Sequence, residues 1–306
     1  MSDPTDKPAV LIEALAYLRK HRNRVTVIKL GGSVLEHGDA LSSILTDVVF
    51  METAGMRPVL VHGGGKAIDR AMAAAGLEPR KIHGRRITDS ATLALVLEVL
   101  IQQINREIVE AIQAVGGQAR AVHSSERQCL LGEVLRLKDT DGRLIDLGRA
   151  GHVTRVEPEP IQECWRAGEV PVIPSLALDA DNKWLNVNAD TAAAAVASAL
   201  GAERFVLVTD TPGVLRNPDT PQSRLAALDS NECQELIAQG IIRHGMVPKV
   251  EACLQALREG VARAQIVDGR ASHCLLGEVF ADNHFCTEIR LAKEHSMMTA
   301  GAASVH

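Results

Sequence analysis

The chain has 306 residues, of which 46% are hydrophobic, 23% charged and only 2% aromatic, and its formal net charge is −5. That length and apolar share suit one large domain or two lobes with a real core, and they exclude intrinsic disorder. The aromatic shortage and acidic balance exclude a base-stacking platform and a surface for a phosphate backbone, so no nucleic-acid role is expected, and Ala, Val, Leu and Ile must build the core. No run reaches the roughly 20 apolar residues of a membrane-spanning helix; the longest uncharged candidate, residues 191–202, is closed by Asp190 and Glu203. The opening MSDPTDKPAV lacks the apolar stretch of a signal peptide. Six scattered cysteines form no Cys-x-x-Cys pair and no zinc-spaced cluster, which implies free thiols, a cytoplasmic location and no protein metal site.

Apolar residues at helical spacing predict an amphipathic helix over 8–21, opened by Pro8. The β-branched run VTVIKL at 25–30 reads as a buried strand ended by Gly31 and Gly32. Asp39 is the expected cap of a helix that Gly55 stops. A strand at 59–61 runs into His62-Gly63-Gly64-Gly65, followed by a helix to Gly76. Asp89 or Ser90 should cap a long helix reaching Ile112. Short alternating stretches over 119–156, broken at Asp141-Gly142 and Gly148, predict β-hairpins. A short helix at 160–167 and a strand at 170–173 come next. Asp190 is the expected cap of an Ala-rich helix through Leu200. A strand at 205–208, a turn at Pro212-Gly213, helices at 230–239 and 248–259, a strand at 265–267 and a small-residue tail at 295–306 complete the pattern. Strands alternating with helices define an α/β fold with a mainly parallel sheet.

Two glycine clusters directly follow predicted strands: Gly31-Gly32-Ser33 and Gly63-Gly64-Gly65. Glycines at strand ends let backbone N–H groups approach an anion, and the next helix adds its positive end. Neither cluster is a Walker A loop, because Leu60 and Ala67 stand where Gly and Ser/Thr are needed, and neither is GxGxxG. Each alone reads as a tight turn. Two together, with Lys29 before one and Lys66 after the other, point to anion binding.

In chain order the motifs are Lys29-Leu30-Gly31-Gly32-Ser33, Val61-His62-Gly63-Gly64-Gly65, Gly84-Arg85-Arg86-Ile87-Thr88-Asp89, Asn186-Val187-Asn188-Ala189-Asp190, Thr209-Asp210-Thr211-Pro212-Gly213-Val214 and Gly245-Met246-Val247-Pro248-Lys249-Val250. At this spacing the chain resembles the amino acid kinase family over residues 11–278. The resemblance implies a three-layer sandwich around a central, mainly parallel open sheet, in two lobes. It implies a helical extension over 1–24, an amino-acid-binding and dimerisation lobe over 25–182, and a nucleotide lobe over 183–306. The implied reaction is ATP- and Mg²⁺-dependent phosphorylation of the γ-carboxylate of N-acetyl-L-glutamate, a step of arginine biosynthesis. By resemblance, Lys29 and Lys249 flank the transferring phosphoryl group and Asp190 organises them. Gly63, Gly64, Gly65, Arg86 and Asn186 hold the acyl amino acid, while Gly31, Gly32, Thr209, Asp210 and Gly213 lie on the nucleotide side. A homodimer or hexamer, a nitrogen-signalling protein partner, and arginine inhibition near His273 and Glu278 are further implications.

The chemistry suits these residues. A γ-carboxylate is ionised at neutral pH and needs no general base, but it must approach an anionic triphosphate; two lysines, Mg²⁺ and glycine N–H groups offset that repulsion. Arg86 offers a planar fork for a substrate carboxylate. Simpler roles exist: Arg86 can pair with Asp89, and Asp190 can serve only as a helix cap. Lys249 opens a helix, where a cation opposes the dipole, which points to an anionic partner nearby. The family's Gly-Leu-(Ser/Thr)-Gly-Lys-Asp stretch is replaced by residues 121–126 (AVHSSE), its Gly-Gly-Met by His244-Gly245-Met246, and its late Gly-x-Gly-Thr by residues 284–287 (HFCT). These departures keep two other readings open: a non-catalytic sensor of arginine or acetylglutamate, and a kinase for a related acylamino acid such as an N-modified aminoadipate.

Overall fold

The computed structural model describes residues 7–82, 84–123, 127–139, 141–280 and 286–292. The departures at 124–126 and 284–285 and the tail at 295–306 lie outside these residues.

Helix α1 (Lys7–His21) leads into β1 (Val25–Leu30). Helix α2 (Gly38–Thr53) follows, but Asp39 is not its cap: His37 holds that position and Asp39 sits in the first turn, where its charge still favours the helix dipole. Strand β2 (Arg57–His62) passes through the glycine turn into α3 (Gly65–Ala74), and a small ribbon of β3 (Lys81–Ile82) and β4 (Arg85–Arg86) comes next. The long helix begins as expected, with the Asp89 side chain accepting from the Thr92 N–H at 2.8 Å. It is not α throughout. Helix α4 (Ser90–Leu97) widens into a π-helical segment, Glu98–Asn105, before resuming as α5 (Arg106–Ala114). Such π segments are rare and concentrate where a helix must re-aim side chains.

The 119–156 region divides. Strand β5 (Ala119–Ala121) is a parallel edge strand of the main sheet rather than part of a hairpin. Strands β6 (Leu130–Val134), β7 (Leu137–Lys138), β8 (Leu144–Ile145) and β9 (Ala150–Val156) form the expected antiparallel pairs, β6 with β9 and β7 with β8. After α6 (Glu159–Arg166) and β10 (Val170–Pro174), strands β11 (Leu176–Leu178) and β12 (Trp184–Val187) join β6 and β9 in a small closed barrel. Then come α7 (Ala189–Ala199), β13 (Arg204–Thr209), β14 (Ala227–Asp229), α8 (Ser230–Ala238), α9 (Val247–Arg258), β15 (Arg263–Asp268), α10 (Cys274–Phe280) and β16 (Cys286–Arg290).

Among the described residues the main sheet has the order β14-β16-β15-β13-β1-β2-β10-β5, and every neighbouring pair is parallel except β15 with β16. The period-2 alternation of β1 explains the layering. Val27 packs with α7 and α9 on one face, while Ile28 and Leu30 pack with α2 and α5 on the other. The aromatic-poor composition acquires a structural meaning in α7, where Ala192, Ala193, Ala194 and Ala197 are fully buried and let the helix lie close against the sheet. From β1 the chain adds β2, then edge strand β5 with β10 inserted between them, and only then returns to add β13 on the other side of β1. Strand order therefore reverses beside β1, and in open α/β sheets the crevice at the strand carboxyl ends of such a point is where ligands bind.

Candidate active site

A cleft of about 500 Å³ occupies this point. It is lined by the ends of β1, β2, β10 and β13, by the β12–α7 turn and by the start of α9. Lys29 shares the Val27 face of β1, so its side chain points toward α7. There its Nζ lies 2.8 Å from Asp190 Oδ1, with the lysine only 6% and the aspartate 5% exposed. Lys249, from α9, reaches the same carboxylate: its Nζ donates to Asp190 Oδ2 at 3.0 Å and to Oδ1 at 3.3 Å. Asp190 is thus not the cap of α7. Asn188 is, accepting from the N–H groups of Asp190 and Thr191, and this frees the Asp190 carboxylate for the lysines. The anion that the placement of Lys249 called for is Asp190 itself.

Burial pushes the Asp190 carboxyl upward, but Lys29 and Lys249 outweigh it and hold the group at about 2. Burial also pulls the Lys29 ammonium below the ordinary lysine range; Asp190 opposes that fall and Lys249 adds to it.

The two glycine turns face each other. A Cβ on Gly32 would stand 3.6 Å from the Gly65 nitrogen and 3.9 Å from that of Lys66, and one on Gly63 would stand 3.0 Å from Ala189 Cβ. Among the described residues, no backbone carbonyl accepts from the N–H groups of Gly64 and Gly65, which open α3. The N-termini of α3, α7 and α9 all meet the cleft through Gly65, Asn188 and Lys249, so helix dipoles and the open N–H groups of Gly64 and Gly65 converge on it.

Arg86 is 8% exposed and lines the cleft. Its carboxylate partner is Asp69, at 2.5 Å, rather than Asp89, which is occupied in capping α4; the Arg86 guanidinium also donates to the Gly65 carbonyl at 3.2 Å. Asn186 lines the same wall and donates to Thr88 Oγ1 at 3.0 Å. The other sequence-selected residues separate. Gly32 and Asp210 line the cleft, whereas Gly31, Thr209 and Gly213 do not. Gly31 donates to the Val208 carbonyl at 3.1 Å and joins β1 to β13. Thr209 is buried at the end of β13. Gly213 has φ +114°, and a Cβ there would meet Thr287 Oγ1 at 2.5 Å, so it fixes the turn against β16.

Sequence reasoning missed Asp69, Lys81, Arg85 and Ser175, which also line the cleft. Asp69 was findable: it lies four residues after Gly65, one helical turn along the same face of α3. In all, six cationic side chains and three carboxylates line the cleft, in a chain whose net charge is −5. Among the described residues no cluster of three metal-ligating side chains occurs, and no helix is long and apolar enough to cross a membrane.

A mainly parallel sheet with a lysine–aspartate–lysine cluster and two opposed glycine turns at its switch point gathers positive charge and open N–H groups in one cleft, an arrangement suited to phosphate groups. Residues 24–268 match the amino acid kinase family, and the chain belongs to it. It is 39% identical to the acetylglutamate kinase of Synechococcus elongatus over 277 residues, 90% of each chain. It is 38% identical to that of Methanosphaera stadtmanae, covering 92% of this chain and 96% of that one. Among solved structures it resembles the N-acetylglutamate synthase of Neisseria gonorrhoeae complexed with coenzyme A and N-acetyl-glutamate, with a TM-score of 0.80 and 27% identity. That match covers 92% of this chain but only 63% of the synthase chain.

Proposed function

We propose that this chain transfers the γ-phosphoryl group of ATP to the γ-carboxylate of N-acetyl-L-glutamate, forming N-acetyl-γ-glutamyl phosphate and ADP in arginine biosynthesis. The observation that carries this reading is the Lys29–Asp190–Lys249 cluster held between two opposed glycine turns. The substrate is assigned from the 38–39% identity to acetylglutamate kinases over nine-tenths of the chain.

In this proposal a carboxylate oxygen of the acceptor bonds to the γ-phosphorus while the bond to the bridging oxygen of ADP breaks, and no proton need be removed. Lys29 and Lys249 lie on either side of the migrating phosphoryl group and offset its charge; Asp190 holds both ammonium groups in place without entering the reaction. The open N–H groups of Gly64 and Gly65 donate to the acceptor or the equatorial oxygens. Arg86, aimed by Asp69, grips the second carboxylate of the acyl amino acid, and Asn186 bonds its amide or carboxylate. The nucleotide lies on the β13 side near Gly32 and Asp210, its base against aliphatic residues and backbone, with residues 183–306 as its lobe and residues 25–182 as that of the acceptor. Mg²⁺ would be held by Asp210, the one cleft carboxylate that forms no ion pair among the described residues, since this ion is usually held by one or two carboxylates plus substrate phosphates and water. When bound it neutralises phosphate charge.

The test is acyl phosphate formation with ATP, Mg²⁺ and N-acetylglutamate, trapped by hydroxylamine. Turnover should collapse in Lys29→Ala and Lys249→Ala. Binding of both ligands by the unaltered protein without any trapped product would overturn the assignment.

A further inference from the structure

Outside the cleft lies one fully buried polar chain that the reaction does not touch. His62 and Asn105 are both 0% exposed. Asn105 Nδ2 lies 3.1 Å from the Val172 carbonyl oxygen and 3.0 Å from His62 Nε2, and His62 Nδ1 lies 3.2 Å from the Gly63 carbonyl oxygen. Both ends of this chain are backbone carbonyls, which can only accept. The Val172 end therefore requires the amide nitrogen of Asn105, which must donate to His62 Nε2. That leaves the ring proton on Nδ1, where the Gly63 end needs a donor. One tautomer satisfies every contact and the other satisfies neither contact of His62.

The residue that imposes this choice comes from the π segment. Asn105 is its last residue, and the same segment forms the floor of the glycine turn: a Cβ on Gly64 would meet Ile104 Cδ1 at 2.6 Å and Leu100 Cδ2 at 2.7 Å. A planar trans peptide places the Gly64 N–H opposite the Gly63 C=O. Holding that carbonyl on the His62 side turns the N–H away from His62, and Gly63, Gly64 and Gly65 line the cleft.

We propose that Asn105, presented by the π segment, is a positioning residue that fixes His62 as its Nδ1–H tautomer and thereby aims the Gly64 N–H at the transferring phosphoryl group or its acceptor. The kinetic part of this proposal rests on the phosphoryl-transfer reading above; the tautomer does not. His62 is thus not a proton-transfer group: both ring nitrogens are committed to structure.

The tautomer is read directly by ¹⁵N NMR of the histidine-labelled full chain, which should show His62 protonated on Nδ1 and bare on Nε2. Asn105→Leu removes the imposing donor; it should leave a folded protein with a mixed His62 tautomer, kcat lowered about 10²-fold, as sub-ångström misplacement of a transition-state donor does, and substrate KM values within a few-fold. His62→Asn keeps a donor near the Nδ1 position and should retain more kcat than His62→Leu. A wild-type His62 protonated on Nε2 overturns the proposal, as does a folded Asn105→Leu with kcat within about twofold of wild type. If Asn105→Leu does not fold, the wild-type tautomer and the His62 pair still decide. A wild type that forms no acyl phosphate at all refutes the assigned reaction instead, and leaves the tautomer measurement standing.

Discussion

Asp190→Asn tests the charge logic of the cleft most severely. In the unaltered chain one carboxylate, almost wholly buried, accepts from two ammonium groups at 2.8 and 3.0 Å. Its displacement from 3.8 to about 2 corresponds to about 2 kcal/mol of preference for the charged form, and removing one partner of a buried ion pair typically costs about 3–5 kcal/mol. The variant should therefore lose about 2–5 kcal/mol of unfolding free energy in urea at neutral pH. A depressed carboxyl contributes stability that is present above its unfolded value and lost as pH falls through its folded value, so the gap between the two proteins should narrow as pH drops below about 4. The kinetic consequence is larger in relative terms. With the carboxylate neutralised, Lys29 and Lys249 repel each other and neither is held, so kcat should fall about 10²–10³-fold, the usual cost of losing a preorganised donor to the transition state. Loss of the carboxylate also removes what keeps the buried Lys29 charged, so the basic limb of the pH–rate profile, followed by ADP release, should move to lower pH. A variant with kcat within about threefold of wild type and an unmoved basic limb would refute the assignment of Asp190 as the organiser of the two lysines.

Arg86→Ala should raise KM for N-acetylglutamate about 10–100-fold, the worth of a charge-assisted bond to a carboxylate, and leave KM for ATP nearly unchanged; equal effects on both substrates would contradict its placement. Gly64→Ala drives a methyl into Ile104 and Leu100 and should cost about 1–3 kcal/mol by overpacking, together with activity, whereas Gly65→Ala meets nothing within 4 Å and should cost far less stability; a melting series compares them. Burial lowers His62 from 6.5 to about 4. Above pH 6.5 both folded and unfolded states are neutral at this site. As pH falls from about 6.5 to 4 the unfolded chain takes up a proton that the native chain refuses, so stability should decline by up to about 3 kcal/mol. Urea titrations against His62→Asn check this: if both proteins lose stability equally across that window, the buried neutral histidine is not the cause.

Much of this was legible in the sequence because strands and glycine turns are local. The runs 25–30 and 205–208 fall inside β1 and β13, and both glycine clusters lie at strand carboxyl ends, as a period-2 pattern ended by glycine predicts. What escaped depended on competition between neighbours or on distant contacts. Asn188 and Asp190 are both good capping residues two positions apart. Only the arrival of Lys29 from β1 and Lys249 from α9 decides which of them caps and which pairs. Asp89 and Asp69 likewise compete for Arg86, and the settlement depends on α3 and β4 lying side by side. The π segment has no sequence signature of its own: EVLIQQIN is ordinary helical sequence, and the contacts of its last residue, Asn105, with His62 and Val172 come from elements distant in the chain. Strand β16, antiparallel at the far side of β15, follows a short helix and carries too few residues for a periodic signal.

The global charge and the local charge of this chain have opposite signs, and the difference explains the three carboxylates in the cleft. Six cations gathered without anions would resist folding, because each added like charge in a part-buried space costs more than it would in water. Asp190 neutralises the two lysines nearest the strand ends, and Asp69 holds both Arg86 and Lys81. These two carboxylates thus serve two cations each, and with Asp210 they let the cluster form yet leave a surplus of positive charge facing the cleft. In the proposed reaction, that surplus is what two anionic substrates neutralise when they enter together. It also accounts for the division of labour between charge and backbone. In the proposed reaction, lysine and arginine side chains set how much negative charge the cleft accepts, while the glycine N–H groups above the π segment set where on the phosphoryl group that charge is met.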